Sequence, residues 1–259
     1  MRLFVVVALT AGCGKFDLGD AALVEGLRVI GVQAEPPEAA PGDAVKLTAW
    51  VVDTHGGAVD VTWSACLLPS NGVANDGCTD TSGHGLVGLG SGETITATVP
   101  MVDAAMLGPE DASDGVYLPI VAHVTSPDDS TDAIYRLRMS VDGSARNHNP
   151  TLTSVDPLQD VPIIAHADSQ WSLQPHYSGD SSEEYQVPES FDPIVFERLT
   201  TQWFASAGTF PSMPVGGTGV QLLVLDRALP PPGGLIDVWT VGHEERGGTT
   251  MLHRQFVLQ

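Results

Sequence analysis

An all-β chain of two sandwich domains in tandem is the fold class this sequence predicts. Three observations lead there. Short apolar segments alternating with polar residues recur from Leu27 to Leu258. Clusters rich in Gly, Pro, Asn, Asp and Ser separate them. The stretch Val61-Thr62-Trp63-Ser64-Ala65 is echoed by Thr201-Gln202-Trp203-Phe204-Ala205, and each lies upstream of a long hairpin. A repeat of that length points to tandem domains, not a solenoid.

The elements follow in order. Leu27–Ala34 is β-branched and apolar and stops at Pro36-Pro37; Ala40-Pro41-Gly42-Asp43 turns the chain into Val45–Val52. His55-Gly56-Gly57 leads to Val59–Cys66, with Val59, Val61 and Trp63 on one face. Glu93–Val99, Val116–Thr125 and Ala133–Val141 complete the first half, the last two joined by Ser126-Pro127-Asp128-Asp129-Ser130. Asn147-His148-Asn149-Pro150 reads as a boundary. Thr151–Val155, Gln170–Tyr177, Leu199–Ala205, Val220–Leu225, Ile236–Gly242 and Thr249–Leu258 repeat the texture, and Gly247-Gly248 closes the last hairpin. Short helices are expected only around Val102–Leu107 and Ser190–Arg198.

The composition narrows the function classes. The chain has 259 residues, enough for two ordinary domains, and 42% of them are apolar, enough to fill two cores. Its net charge of −21 opposes binding to nucleic acid and to anionic lipid headgroups, which need clustered Lys and Arg. Only Lys15 and Lys46 are lysines; the other basic residues are arginines.

The N-terminus carries an address. Arg2 precedes an apolar run, Leu3–Leu9, and then Thr10-Ala11-Gly12-Cys13. Small residues directly before a cysteine, behind a charged and then apolar leader, describe a cleaved export signal. The pattern resembles the lipobox of bacterial lipoproteins, with Thr10 where leucine is commonest. The resemblance implies cleavage after residue 12 and lipidation of Cys13. The apolar run is far short of the ~20 residues a bilayer crossing needs. The expected organisation is a signal peptide over 1–12, a lipidated tether over 13–23, one sandwich over 24–145 and another over 149–259. The expected location is the cell envelope, at the outer membrane, held by lipid.

Of the 3 cysteines, Cys66 and Cys78 then remain. Outside the cytoplasm such a pair is expected to form a disulfide. The segment between them is rich in turn formers, and closing a loop of that size stabilises by about 3 kcal/mol.

Two stretches carry a further resemblance. Leu27–Trp50, with Ala34-Glu35-Pro36-Pro37 and Pro41-Gly42-Asp43, resembles the first strands of bacterial immunoglobulin-like or PKD-like domains. Val238–Thr249, with Glu244-Glu245-Arg246-Gly247-Gly248, resembles their last hairpin, Glu244 departing from the usual aspartate register. The resemblance implies surface lipoproteins with tandem sandwiches that act as spacers, adhesive modules or assembly parts, and not as enzymes.

No catalytic motif emerges. The 8 histidines fall in no HExxH or HxH arrangement, and no GxSxG is present. Gly85–Gly92 lacks the GK[ST] of a phosphate loop, and His176-Tyr177-Ser178-Gly179-Asp180 merely gathers suitable letters. The acidic turns Asp128–Asp132 and Glu110–Gly115 offer hard oxygens but match no calcium loop. No cofactor, catalytic residue or metal ligand is therefore assigned. The expected role is presentation of non-catalytic binding or structural domains to an envelope protein or polysaccharide. A carbohydrate-binding accessory module is the alternative and would show exposed tryptophans in one plane. A β-sandwich hydrolase would show clustered, perturbed carboxylates or histidines.

Overall fold

Alternation in the sequence becomes strand pairing in space. The computed structural model describes residues 20–67, 85–101, 116–139, 146–186, 194–211 and 219–259. In the first half the strands are β1 (Leu27–Glu35), β2 (Glu38–Ala39), β3 (Ala44–Asp53), β4 (Asp60–Cys66), β5 (Leu86–Ser91), β6 (Thr94–Thr98), β7 (Val116–Thr125) and β8 (Ser130–Met139). The second half contains β9 (Leu152–Asp156), β10 (Ile163–Ala165), β11 (Gln170–Tyr177), β12 (Glu184–Gln186), β13 (Ile194–Phe196), β14 (Leu199–Ala205), β15 (Gln221–Val224), β16 (Leu235–Glu244) and β17 (Thr249–Leu258).

The two halves share one topology. In the first, β1-β3-β6 forms one sheet and β2-β8-β7-β4-β5 the other. In the second, β9-β11-β15 corresponds to the former and β10-β17-β16-β14 to the latter. In each half a short segment just past the first strand crosses to the opposite sheet. There it pairs in parallel with the last strand, β2 with β8 and β10 with β17. Each half is thus an immunoglobulin-like β-sandwich. Trp63 on β4 and Trp203 on β14 hold equivalent places, each on the strand paired with the first arm of the final hairpin. Both are buried, in separate cores. The sequence echo around them is therefore a structural repeat.

Some elements differ from expectation. Gly85–Gly92 holds strand β5, and Ile194–Phe196, expected within a helix, pairs with β12. The segment 102–107 lies outside the described residues. Asp20–Leu23, expected as the end of a tether, is docked: Leu23 bridges Ala205 at the edge of β14, and Arg28 donates to the carbonyls of Ala21 and Leu23.

The sandwiches pack face to face. In β3, Val45, Leu47 and Ala49 point into the first core, while Trp50 and Val52 point away from it. In β16, Ile236 and Val238 point into the second core, while Trp239 and Val241 point away. These outward side chains meet one another, joined by Val24, Ile30, Phe204 and Met251, in a third apolar cluster between the domains. A bulge in β1 feeds it. Its register against β3 shifts between Val29 and Gly31, which turns Ile30 and Gly31 toward the second domain while Val32 and Ala34 return to the first core.

Gly31 is the point of closest approach. A Cβ placed there would lie 3.0 Å from Cε3 of Trp50 and 3.4 Å from Cγ1 of Val241. Overfilling such a contact costs roughly 1–3 kcal/mol. Gly31→Val is accordingly expected to destabilise the chain by about that amount in urea unfolding. It should also split one thermal transition into two, because both cores stay intact while their contact is lost. A single unshifted transition would contradict face-to-face packing.

A candidate functional site at the domain junction

At one end of the apolar cluster lies a buried polar pole. It is assembled from the turn between β16 and β17, the linker between domains, and loops on both sides. Gly247 (φ +105°) permits the tight turn, and its carbonyl accepts a 2.7 Å hydrogen bond from the Tyr135 hydroxyl of β8.

Arg246 is the centre of the pole. Its Nε donates to Glu197 Oε1 at 2.5 Å, and its Nη2 donates to Asn147 Oδ1 at 2.7 Å and to Glu183 Oε2 at 3.2 Å. The guanidinium also stands 5.3 Å over the Tyr185 ring. The Glu197 side chain is 0% exposed, so this partner replaces the water it has lost. Its second oxygen accepts the backbone N–H of Glu183.

Asn147 ties the two domains together. Its backbone N–H donates to Glu38 Oε2 in the first domain, and its side-chain amide donates to Glu244 Oε1 in the second. Arg138 stands 3.6 Å behind Glu38. Asn149 repeats the device, donating to the Ala34 carbonyl and Glu35 Oε2 while accepting from the Thr249 N–H. Gln33 of β1 adds a 2.7 Å bond to the Thr249 carbonyl. The linker residues are structural pins, with Asn147 fully buried.

Glu244 carries the most perturbed carboxyl. It accepts from the backbone N–H groups of Arg246 and Gly248 and from the Asn147 amide. Burial, and then the facing Glu197 carboxyl, push it up to about 7. Burial also raises the Tyr135 hydroxyl, with Glu244 adding to the effect. His243, beside the pole, is held below its ordinary value by burial.

The remaining residues singled out from sequence scatter. Cys66 is buried at the end of β4, whereas Cys13 and Cys78 lie outside the described residues. His176 Nε2 contacts Asp156 Oδ2 at 2.9 Å across paired strands, while Ser178 bonds to Ser181, so the histidine and serine are not brought together. In the Asp128–Asp132 turn, Asp129 accepts the Ser130 N–H and Asp132 pairs with His123. The Glu110–Gly115 run lies outside the described residues. Among the described residues, no group of three His, Cys, Asp or Glu is placed to hold a metal ion. Trp63, Trp203 and Trp239 are buried, and Trp50 and Trp171 are partly buried, which offers no open plane for sugar stacking. The pole itself was not anticipated. Its turn was read as a hairpin signature and its linker as a boundary, and no local pattern marks their union.

No known protein family matches the chain, and none of the curated proteins does. Solved structures resemble it faintly. A chimeric titin Z1Z2 is 13% identical over 90% of this chain and 98% of that one, with a TM-score of 0.25. The N-terminal Ig1-2 module of the Drosophila receptor protein tyrosine phosphatase DLAR is 10% identical over 91% and 100%, with a TM-score of 0.26. The three N-terminal domains of the bacteriophage RB49 outer capsid protein Hoc are 14% identical over 90% and 59%, with a TM-score of 0.24. At such scores the fold assignment stands on strand order and register instead.

Breaking a buried ion pair by removing one partner costs about 3–5 kcal/mol, because a charge is stranded. Arg246→Ala should lose stability on that scale in urea unfolding of the full chain, with Glu197 left unpaired. Arg246→Lys should recover little of it, since an ammonium cannot reproduce the guanidinium fork that reaches Glu197, Glu183 and Asn147 together.

Proposed function

We propose that this chain is an envelope lipoprotein, anchored through Cys13, whose two immunoglobulin-like domains work as one rigid, non-catalytic binding or structural module. The observation that carries the module reading is the sealed junction. A sheet face of each domain is spent on the other, and Asn147 and Asn149 pin the linker to both. Such a block presents a fixed surface, and partners that meet it lose no further interdomain freedom.

The location of Asp20 gives the anchor a direction. The lead-in Asp20–Val24 sits against β14, with the Val24 N–H donating to the Ala205 carbonyl. From Cys13 to Asp20 an extended chain spans at most about 25 Å. In this reading the lipid holds the block by its junction, with the free sandwich ends and the β5 edge turned to a protein or polysaccharide partner. The Cys66–Cys78 disulfide belongs to the same reading. It is supported by the burial of Cys66 and by the turn-rich sequence that follows it. Non-catalytic action is supported by the placement of the histidine–carboxylate pairs His123–Asp132, His176–Asp156 and His253–Asp237 on strand surfaces, where each imidazole is hydrogen-bonded to its acid.

Expression of the full-length gene in a bacterial host tests the anchor. Membrane-fraction protein should begin at Cys13 and carry acyl mass, and Cys13→Ser should abolish both. Under non-reducing conditions Cys66 and Cys78 should resist alkylation and appear in one linked peptide. An unprocessed Met1, or a free thiol at either position, would remove the corresponding part of the proposal.

A further inference from the structure

Strand β8 has 10 residues, and among the described residues its outer edge is paired only where β2 meets Arg138 and Met139. Upstream of that point the Arg136 carbonyl leaves the sheet toward the β16–β17 turn, 3.2 Å from where a Cβ on Gly247 would stand. Ladder hydrogen bonds alternate along a strand, so the N–H and C=O of Ile134 point off the same edge. Among the described residues no protein group bonds to them. An open row of this kind is a template for a strand from outside.

The edge opens into a groove of about 290 Å³ at the domain junction. One wall is β8 itself, residues 133–136, and another is the bulged part of β1, residues 29–32. The second domain supplies Gln202 from β14 and His243 from β16. No Asp, Glu or Lys lines it. Arg136 does, but it alternates with the core residues Tyr135 and Leu137, and its guanidinium stands 4.4 Å over the Tyr117 ring. What faces a guest is therefore aliphatic or neutral. The exposed Gln202 amide bonds to no protein group among the described residues. His243 Nδ1 lies 3.3 Å from Thr249 Oγ1, and burial holds its imidazole below the ordinary value, hence uncharged in neutral solution.

We propose that this groove takes an extended, uncharged peptide segment of a partner protein, added as a further strand to β8 at Ile134. The main chain of such a segment matches the open N–H and C=O of Ile134, and the Gln202 amide is free to bond a further peptide unit. Its side chains alternate, so one set turns toward the aliphatic wall of Ile30 and Val32. A charged segment would give up water there with no counter-charge to meet it, which is costly. β8 belongs to the first domain and Gln202 and His243 to the second, so neither sandwich alone holds the site. The site rests on the reading of the chain as a rigid binding module and is indifferent to how the chain is anchored.

Panning a phage-displayed library of random seven-residue peptides on the full chain tests the groove. Uncharged sequences should be enriched, and their end-blocked synthetic versions should shift the Ile134 backbone and Gln202 side-chain amide resonances in NMR titrations. Ile134→Pro removes the N–H that points off the edge and spares the ladder with β7, so it should fold. It should bind such a peptide about tenfold or more weakly, the scale of one lost hydrogen bond. Gln202→Glu, a change at an exposed position, should weaken binding similarly by bringing a charge to the groove, and it decides alone if Ile134→Pro fails to fold. Enrichment of charged peptides only, of none, or of peptides that bind wild type and variants equally would overturn the groove. Peptides of that last kind whose resonance shifts fall at the sandwich ends would leave the module reading standing, and retention of polysaccharide without any peptide would overturn the groove alone.

Discussion

Strand β16 is apolar on both faces, and the arrangement of the whole chain follows from that. Ile236 and Val238 fill the second core, as any sandwich strand must. Trp239 and Val241 point the other way and would lie in water if the domain stood alone. Large side chains of this kind contribute about 1.5–3 kcal/mol each when buried, so the outer face of the sheet demands a cover. The first domain supplies one from the outer face of β1 and β3. The bulge at Ile30 and the absence of a side chain at Gly31 let the two sheets close without distorting either core.

Apolar packing of this kind is permissive about orientation, because it is non-directional. The polar pole supplies direction. Buried ion pairs gain little net stability, since desolvation offsets the attraction, but they punish a misplaced partner severely. Arg246 can satisfy Glu197, Glu183 and Asn147 together in one geometry only. The linker asparagines, the Tyr135 hydroxyl and Gln33 extend the same demand to the first domain. The apolar cluster thus drives the domains together, while the pole selects their relative position.

Legibility in the sequence divides along the same line. Strands with long alternating patterns, such as Val45–Val52 and Val59–Cys66, declare themselves because their periodicity is local. The Trp63 and Trp203 echo even reveals the repeat. Short strands do not. β2, β10, β12 and β13 run two or three residues, too few for any period, and exist because a partner elsewhere offers a ladder. Ser190–Arg198 has the letters of a helix, yet Ile194–Phe196 answers to Glu184–Gln186. β5 is glycine-rich and reads as a loop until β4 is beside it. The pole is the extreme case. Arg246 meets residues 49, 63 and 99 positions away, so its turn looks like any hairpin closure until the fold is known.

A chain of net charge −21 generates a field that opposes every buried carboxylate. Scattered surface acids relieve this through water and counterions. Glu197 and Glu244 cannot, since protein surrounds them. Glu244 is met at the pole by neutral donors, the Asn147 amide and the backbone N–H groups of Arg246 and Gly248. Because Asn147 bonds Glu38 through its backbone N–H and Glu244 through its side-chain amide, one linker residue ties buried carboxyls of both domains together.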